Sequence, residues 1–392
     1  MVAEKISRLV VLACTGRHKT YDPTFIQSFS DCEICGPSPL FAEYDLTPRP
    51  PEMVINQKEP SMWRYAELLP VQSYEDIVSL GEGWTPLLKL KKTAATLGLK
   101  QLLLKDESLN PTGSFKSRGI SAAISKAKEL GITKCIIPTA GNAGIALSAY
   151  CARAGMQATV VMPRITPEIF VKECELYGSE VILEDGLIDS CARKVALLNA
   201  DKSYFDISTM KEPYRLEGKK TMGYEIAEQL NWKLPDVILY PTGGGTGLIG
   251  IWKAFHEMIQ LGWIDSKLPR LIAVQSDQCQ PVIRAFHNVE NGTVNPFSAS
   301  RLAYGLNVPK AFALKQMMEV LKQSGGSAIA VSDQEIREST REMIKNEGLL
   351  ICPEGGSLIA ALKKLLASDT IKRHEKVLIL NTGSGIRYLN DL

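Results

Sequence analysis

The stretch NPTGSFKSRG, Asn110 to Gly119, carries a single lysine, Lys116, in a short polar run. Before it lies the strand-like QLLLKD (101–106). After it, RGISAAISKAKEL (118–130) spaces small and apolar residues as a helix does. Pro111 and Gly113 mark the loop between them. A lysine at such a junction meets the positive end of the helix dipole, which disfavours its ammonium form. A free lysine has a pKa near ~10.4, so as a nucleophile it needs help from its surroundings. One chemistry that needs such an amine is a Schiff base with an aldehyde cofactor. For an isolated Ser-Phe-Lys, a surface lysine capping a turn is the simpler reading. The rest of the chain argues against it.

Outward from this loop, short β-branched runs alternate with helical patterns. The strand candidates are QLLLKD (101–106), KCIIPT (134–139), ATVVM (158–162), EVILE (180–184), DVILYPT (236–242), RLIAVQ (270–275) and VLILNT (377–382). Helical patterns span 143–154, 167–177, 186–199, 218–231 and 247–260. This alternation predicts βαβ units and an α/β fold with mostly parallel sheets. Ligands then bind at the carboxyl ends of the strands, and the unusual glycine, threonine and asparagine clusters fall there. No internal repeat or low-complexity tract is present. The Pro-rich TPRPPEM (47–53) reads as a linker after a distinct N-terminal segment.

TAGNAGIAL (139–147) follows one strand. Its turn from Thr139 to Asn142 opens a helix whose free N–H groups suit a carboxylate. By itself Asn142 reads better as a plain N-cap. YPTGGGTGLIG (240–250) follows another strand. Gly243, Gly244, Gly245, Thr246 and Gly247 form a candidate phosphate cup at a helix start, although they match neither the GxGxxG nor the P-loop spacing. LILNTGSGIRY (378–388) holds two hydroxyls, Thr382 and Ser384, among glycines. In EPYRLEGKKTMGYEIA (212–227), Arg215 and Lys219 stand four apart, and arginine binds phosphate bidentately. A solvated helix end with Glu217 as partner accounts for that spacing equally well. Together a lysine, an asparagine, a phosphate cup and a hydroxyl match an aldehyde, a ring oxygen, a phosphate and a ring nitrogen, the four demands of pyridoxal phosphate.

The 392 residues suffice for two or three domains. With 45 basic and 43 acidic residues well mixed, the formal charge of +2 gives no support to nucleic-acid or membrane-surface binding. No apolar run approaches a membrane span, and the patch from Leu9 to Ala13 is too short for a signal-peptide core. Nine cysteines, mostly in apolar segments, read as buried thiols of a reducing compartment, and the expected location is cytoplasmic.

At this point the chain resembles the fold type II pyridoxal-phosphate enzymes, and among them the threonine synthase family. The resemblance rests on GEGWTPLLKL (81–90), KDESLNPTGSFKSRG (105–119), TAGNAGIALSAYCARAG (139–155), PYRLEGKKTMGYEIA (213–227), YPTGGGTGLIGIWKAF (240–255) and NTGSGIRY (381–388), in the family's order. It implies two three-layer αβα domains: residues 51–104 with 206–392 as the large cofactor-binding one, and 105–205 as a small mobile one. It implies that Lys116 carries the cofactor, that Asn142 bonds its ring oxygen, that residues 243–247 bind its phosphate, and that Thr382 faces its ring nitrogen, with Ser384 as a stand-in. Ser114, Thr139 and the turn to Asn142 are expected to hold the substrate carboxylate, and Arg215 the phosphate of O-phosphohomoserine. The implied reaction is γ-elimination of phosphate and addition of water at the β-carbon, giving L-threonine, in a homodimer.

Two departures bear on the reaction. Ser117 replaces the aspartate of the SFKDRG found in many threonine synthases, and PTGGGTG resembles the loop of serine and threonine dehydratases. A dehydratase giving a keto acid is therefore the alternative. A nicotinamide oxidoreductase leaves Lys116 unexplained, and a non-catalytic scaffold leaves the whole lysine loop unexplained. In residues 1–50, CEIC (32–35) and YDL (44–46) resemble the family's rubredoxin-like knuckle, but Arg17 stands where a second cysteine is expected. His18 then supplies the fourth ligand, so Cys14, His18, Cys32 and Cys35 form a candidate zinc site. A degenerate knuckle held by packing is the alternative there.

Overall fold

Thirteen strands in three sheets make up the β-structure of the described residues, which in this computed structural model are 5–25, 28–288 and 299–392. In chain order the first six are β1 (Leu9–Cys14), β2 (Thr20–Tyr21), β3 (Leu40–Tyr44), β4 (Leu87–Lys89), β5 (Gln101–Asp106) and β6 (Lys134–Pro138). Then come β7 (Gln157–Pro163), β8 (Glu180–Glu184), β9 (Phe205–Asp206), β10 (Val237–Pro241), β11 (Arg270–Ser276), β12 (Ser327–Val331) and β13 (Lys376–Asn381). The large sheet has the order β12-β11-β10-β13-β5-β4, parallel except for β4 at its edge. The small sheet, β8-β7-β6-β9, is parallel throughout. The antiparallel β2-β1-β3 forms the N-terminal unit.

The parallel strands are apolar without alternation because both faces are covered. In β10 and β13, Ile238, Tyr240, Leu378 and Leu380 pack with Leu248, Phe255 and Met258 of the helix Thr246–Gln260. Their neighbours Val237, Leu239, Val377 and Ile379 pack on the opposite face with Leu358 and Leu362 of the helix Pro353–Ala367. In β6, Cys135 and Ile137 face the helices Lys116–Glu129 and Asn142–Ala154, while Ile136 faces Cys191 and Val195 of the helix Ile188–Leu198. Each parallel sheet is thus the middle of three layers.

All seven strands expected from the sequence form close to their expected bounds. One helix is longer than the expected 218–231: it begins at Tyr214 and ends at Gln229. Glu212 explains the early start. Its carboxylate accepts the N–H groups of Tyr214 (2.7 Å) and Arg215 (3.0 Å), capping the helix from outside its first turn. β5 runs through Asp106 within the large sheet, two residues past the expected division after 104. The stretch expected as a linker is docked, with the carbonyl of Arg49 accepting from Trp263 Nε1 (2.6 Å).

The Tyr214–Gln229 helix lies against both the Lys116–Glu129 helix and the Thr246–Gln260 helix. Glycine allows the first approach: a Cβ on Gly218 would stand 2.0 Å from the carbonyl oxygen of Arg118. This crossing brings the starts of three helices, with Lys116, Arg215 and Thr246, around one point.

Candidate active site

The carboxyl ends of β5, β6, β10 and β13 open onto one cavity of about 330 Å³. Lys116, Thr139, Asn142, Arg215, the run Gly243–Gly247 and Thr382 all line it. Two of the expected residues do not. Ser114 is fully buried, with its hydroxyl accepting from the Lys116 N–H (3.4 Å). Ser384 caps a short turn by accepting from Ile386 N–H (3.3 Å). Of the two hydroxyls at the end of β13, Thr382 is therefore the one on the wall.

Lys116 is the first residue of its helix, with Phe115 at the N-cap. Its loop is stitched to the end of β13: Phe115 N–H donates to the Thr382 carbonyl (3.0 Å), and Ser384 N–H to that of Gly113 (2.8 Å). Burial, then the nearby Arg215 guanidinium, lower the Lys116 pKa to about 8. Its ammonium lies over the Phe115 ring at 4.7 Å.

Beneath the lysine, Arg118 is wholly buried between two carboxylates. It donates to Glu107 (2.6 and 2.8 Å) and to Glu225 (2.5 and 2.7 Å). Lys105 adds a second cation to Glu225 (2.7 Å), and Thr85 Oγ1 donates to Glu107 (2.6 Å). Two cations and two anions satisfy one another, which a buried charge requires. Ser117 joins this floor by pairing with Thr112 Oγ1 (2.7 Å). The GEGWTP motif belongs to the same framework. Glu82 accepts from Trp63 Nε1 (2.9 Å) and Tyr150 Oη (2.5 Å), and Trp84 N–H reaches Glu225 (2.7 Å). Sequence reasoning took these motifs for family markers and missed that they form the buried floor.

The glycine run is tightly enclosed. A Cβ would stand 2.4 Å from the Gly305 carbonyl at Gly243, and 1.8 Å from Tyr240 Oη at Gly247. Gly245, at φ +79°, makes the left-handed turn into the helix Thr246–Gln260. That helix start has N–H groups without intrahelical partners, the setting for an anion.

The matches with known proteins agree with this geometry. A family model described as pyridoxal-phosphate dependent enzyme matches residues 78–383. Over 382 residues the chain is 35% identical to the threonine synthase of Methanocaldococcus jannaschii, covering 95% of this chain and 92% of the relative. The chain belongs to the threonine synthase family of pyridoxal-phosphate dependent enzymes. A second member, from Methanosarcina acetivorans, is 33% identical over 83% of this chain and 79% of its own length. Maize serine racemase superposes with a TM-score of 0.66 at 20% identity, over 77% of this chain and 88% of that one, a likeness of fold.

The family's cofactor fits the residues present. Among the described residues Tyr240 Oη is buried without a partner, on a wall that also carries the glycine cup. A phosphate ester supplies the acceptors that such groups lack. Arg215 is 2% exposed, and its one side-chain hydrogen bond among the described residues runs to the Ile207 carbonyl (2.6 Å). Glu217, the partner considered from spacing, instead holds Lys220 (2.7 Å) and Lys253 (2.5 Å). Asn142 is the first residue of its helix behind Gly141 and accepts from Arg387 (3.4 Å). Glu354, Tyr304 and Lys219 also line the cavity. Lys219 stood in the sequence one turn after Arg215, the only signal that could have found it.

In the N-terminal unit, the ligand atoms of Cys14, His18, Cys32 and Cys35 lie within 4.8 Å of one another. His18 Nδ1 is 3.3 Å from Cys35 Sγ, and Cys14 and Cys35 Sγ are 3.6 Å apart. Gly16 N–H and Lys19 N–H point at Cys35 and Cys14 sulfurs, both at 3.3 Å. Thiols drawn together under backbone N–H groups form a donor set of the Cys3His kind suited to zinc.

Proposed function

We propose that this chain converts O-phospho-L-homoserine and water to L-threonine and phosphate, with the residues above in the following roles. When bound, pyridoxal phosphate supplies the electron sink for charge developing on the substrate carbons. Lys116 holds the cofactor, and its amine, shifted towards neutrality by burial and Arg215, then moves protons at those carbons. Asn142 bonds the ring oxygen and Thr382 offers the ring nitrogen a neutral hydroxyl. The loop Gly243–Gly247 receives the cofactor phosphate. The turn from Thr139 to Asn142 takes the substrate carboxylate, and Arg215 binds the substrate phosphate and steadies it as it leaves.

The observation that carries this reading over the dehydratase is Arg215. It is a buried guanidinium on the cavity wall, has no carboxylate within ion-pair distance among the described residues, and keeps an unpaired Nε. A dehydratase acting on threonine or serine has no second phosphate to place there. The test is a paired assay of the purified, cofactor-loaded protein. Phosphate and threonine in equal amounts from O-phosphohomoserine support the reading. Keto acid from threonine or serine, without phosphate release from O-phosphohomoserine, replaces it with the dehydratase.

The Cys3His cluster is proposed to hold one structural zinc ion. Residues 105–205, which carry the small sheet except Asp206 of β9, are proposed to close over the substrate towards 51–104 and 206–392, keeping water out until its step. A cytoplasmic location rests on nine cysteines that are all free. A homodimer is the expected assembly, to be read by sedimentation velocity.

A further inference from the structure

Lys219 has no role in the account above, although it stands in the most costly setting of any lysine in the cavity. It is 1% exposed and on the Tyr214–Gln229 helix, one turn after Arg215. Among the described residues no carboxylate lies within ion-pair distance of it. Its ammonium donates to one side-chain oxygen, Thr246 Oγ1, at 2.5 Å, and lies 4.7 Å from the Phe115 ring centre. The carboxylate nearest in effect, Glu212, is engaged by two backbone N–H groups. Arg215 and Lys116 surround it with like charge. The same helix shows what a structural lysine looks like here: Lys220, the next residue, is equally buried but paired with Glu217 (2.7 Å) and Glu257 (3.0 Å).

A buried ammonium needs a compensating anion. The oxygen that Lys219 touches belongs to Thr246, a member of the glycine cup and the first residue of the helix Thr246–Gln260. A helix N-terminus offers a phosphate dianion only about half a positive charge, so the cup alone leaves most of that charge unmatched. We propose that Lys219 is the charge partner of the cofactor phosphate, reaching the cup from below through Thr246, while Arg215 is left for the phosphate of the substrate. Two phosphates in one site are thereby told apart by two cations one helical turn apart. This inference rests on the functional reading above.

The test uses the full-length protein, stripped of cofactor, checked for fold by circular dichroism, and titrated by visible absorbance with pyridoxal 5′-phosphate and with pyridoxal, which lacks the phosphate. Lys219→Met and Lys219→Gln are expected to weaken the phosphate ester by about 10- to 100-fold, the worth of a charge-assisted bond, and to leave pyridoxal affinity unchanged. The cofactor-free Lys219→Met protein is expected to melt no lower than the parent, since it loses an unpaired buried charge. Equal losses for both ligands, with a lower Tm, make Lys219 a packing residue and overturn the proposal. Unchanged cofactor affinity with a raised KM for O-phosphohomoserine assigns its charge to the substrate and also overturns it. A parent protein that binds neither ligand overturns the functional reading and this inference together. Normal binding by the parent with no selective loss in the variants overturns this inference alone.

Discussion

Capture of the cofactor by Lys116 should follow the ionisation of one amine, and the structure sets where. Only the neutral amine attacks an aldehyde. With a pKa of about 8, roughly one molecule in ten has that form at about pH 7, against one in a few thousand for a free lysine at ~10.4. Because the pKa is lowered, the neutral form appears at lower pH. The capture rate should therefore rise about tenfold above its value near pH 7, with a midpoint near 8, and then flatten. Stopped-flow absorbance of cofactor-free protein mixed with pyridoxal 5′-phosphate measures this. Dividing by the rate with a free alkylamine, expressed per neutral amine, cancels the aldehyde's own titration. Burial is the larger cause of the shift and Arg215 the second. Arg215→Met should move the midpoint upward without returning it to the free-lysine value. A rate still climbing at about pH 10 with no inflection, or a midpoint that falls in Arg215→Met, would refute this account of the site's electrostatics.

Arg215→Ala should chiefly impair use of O-phosphohomoserine, lowering kcat/KM by about 30-fold or more, the cost of truncating one partner of a buried charge pair. Steady-state phosphate release checks this, and an unchanged kcat/KM removes Arg215 from the site. Lys116→Ala should abolish both the visible absorbance of bound cofactor and turnover, and retained colour with full activity sinks the assignment of the lysine. Arg118→Met strands Glu107 and Glu225 without their shared cation and should cost about 3–5 kcal/mol of stability, seen in chemical denaturation; a loss under about 1 kcal/mol would mean the floor is not the continuous network of ion pairs described. Cys35→Ser should eliminate bound zinc in elemental analysis of a protein that otherwise carries about one ion per chain, and zinc-free parent protein would leave the cluster a thiol knuckle held by packing.

The strands were legible because β5, β6, β10 and β13 are buried on both faces and carry continuous apolar runs at their centres. The loops after them were legible for a related reason: a helix start that receives an anion needs glycines or small polar residues, and such clusters have few other uses. What escaped detection was long-range. The start at Tyr214 depends on Glu212 capping from outside the helix, which no periodicity encodes. Ser114 carries the right chemistry for a carboxylate, but its hydroxyl turns under the Lys116 amide, a choice made by the stitch to β13. Arg118 is enclosed by Glu107 and Glu225, 11 and 107 positions away, a pairing that no local pattern announces. Strand β12 and the helix Asp333–Glu347 also went unassigned, although Ser332 and Glu335 form a capping box visible as a four-residue pattern.

β13 follows the other twelve strands in sequence yet lies between β10 and β5, in the interior of the large sheet. Its end anchors the lysine loop through backbone bonds that span more than 260 positions. During synthesis, everything up to residue 370 can leave the ribosome with a gap where that strand belongs. Until it arrives, the lysine loop lacks its backbone anchors and the cavity lacks the wall that Thr382 supplies. A polypeptide released early would thus be unable to retain the cofactor, and possession of the cofactor becomes a certificate that synthesis reached the end of β13. The same arrangement makes the closing step of folding a non-local one, slow by nature, and gives chaperones a defined interval in which the open edges of β10 and β5 need protection.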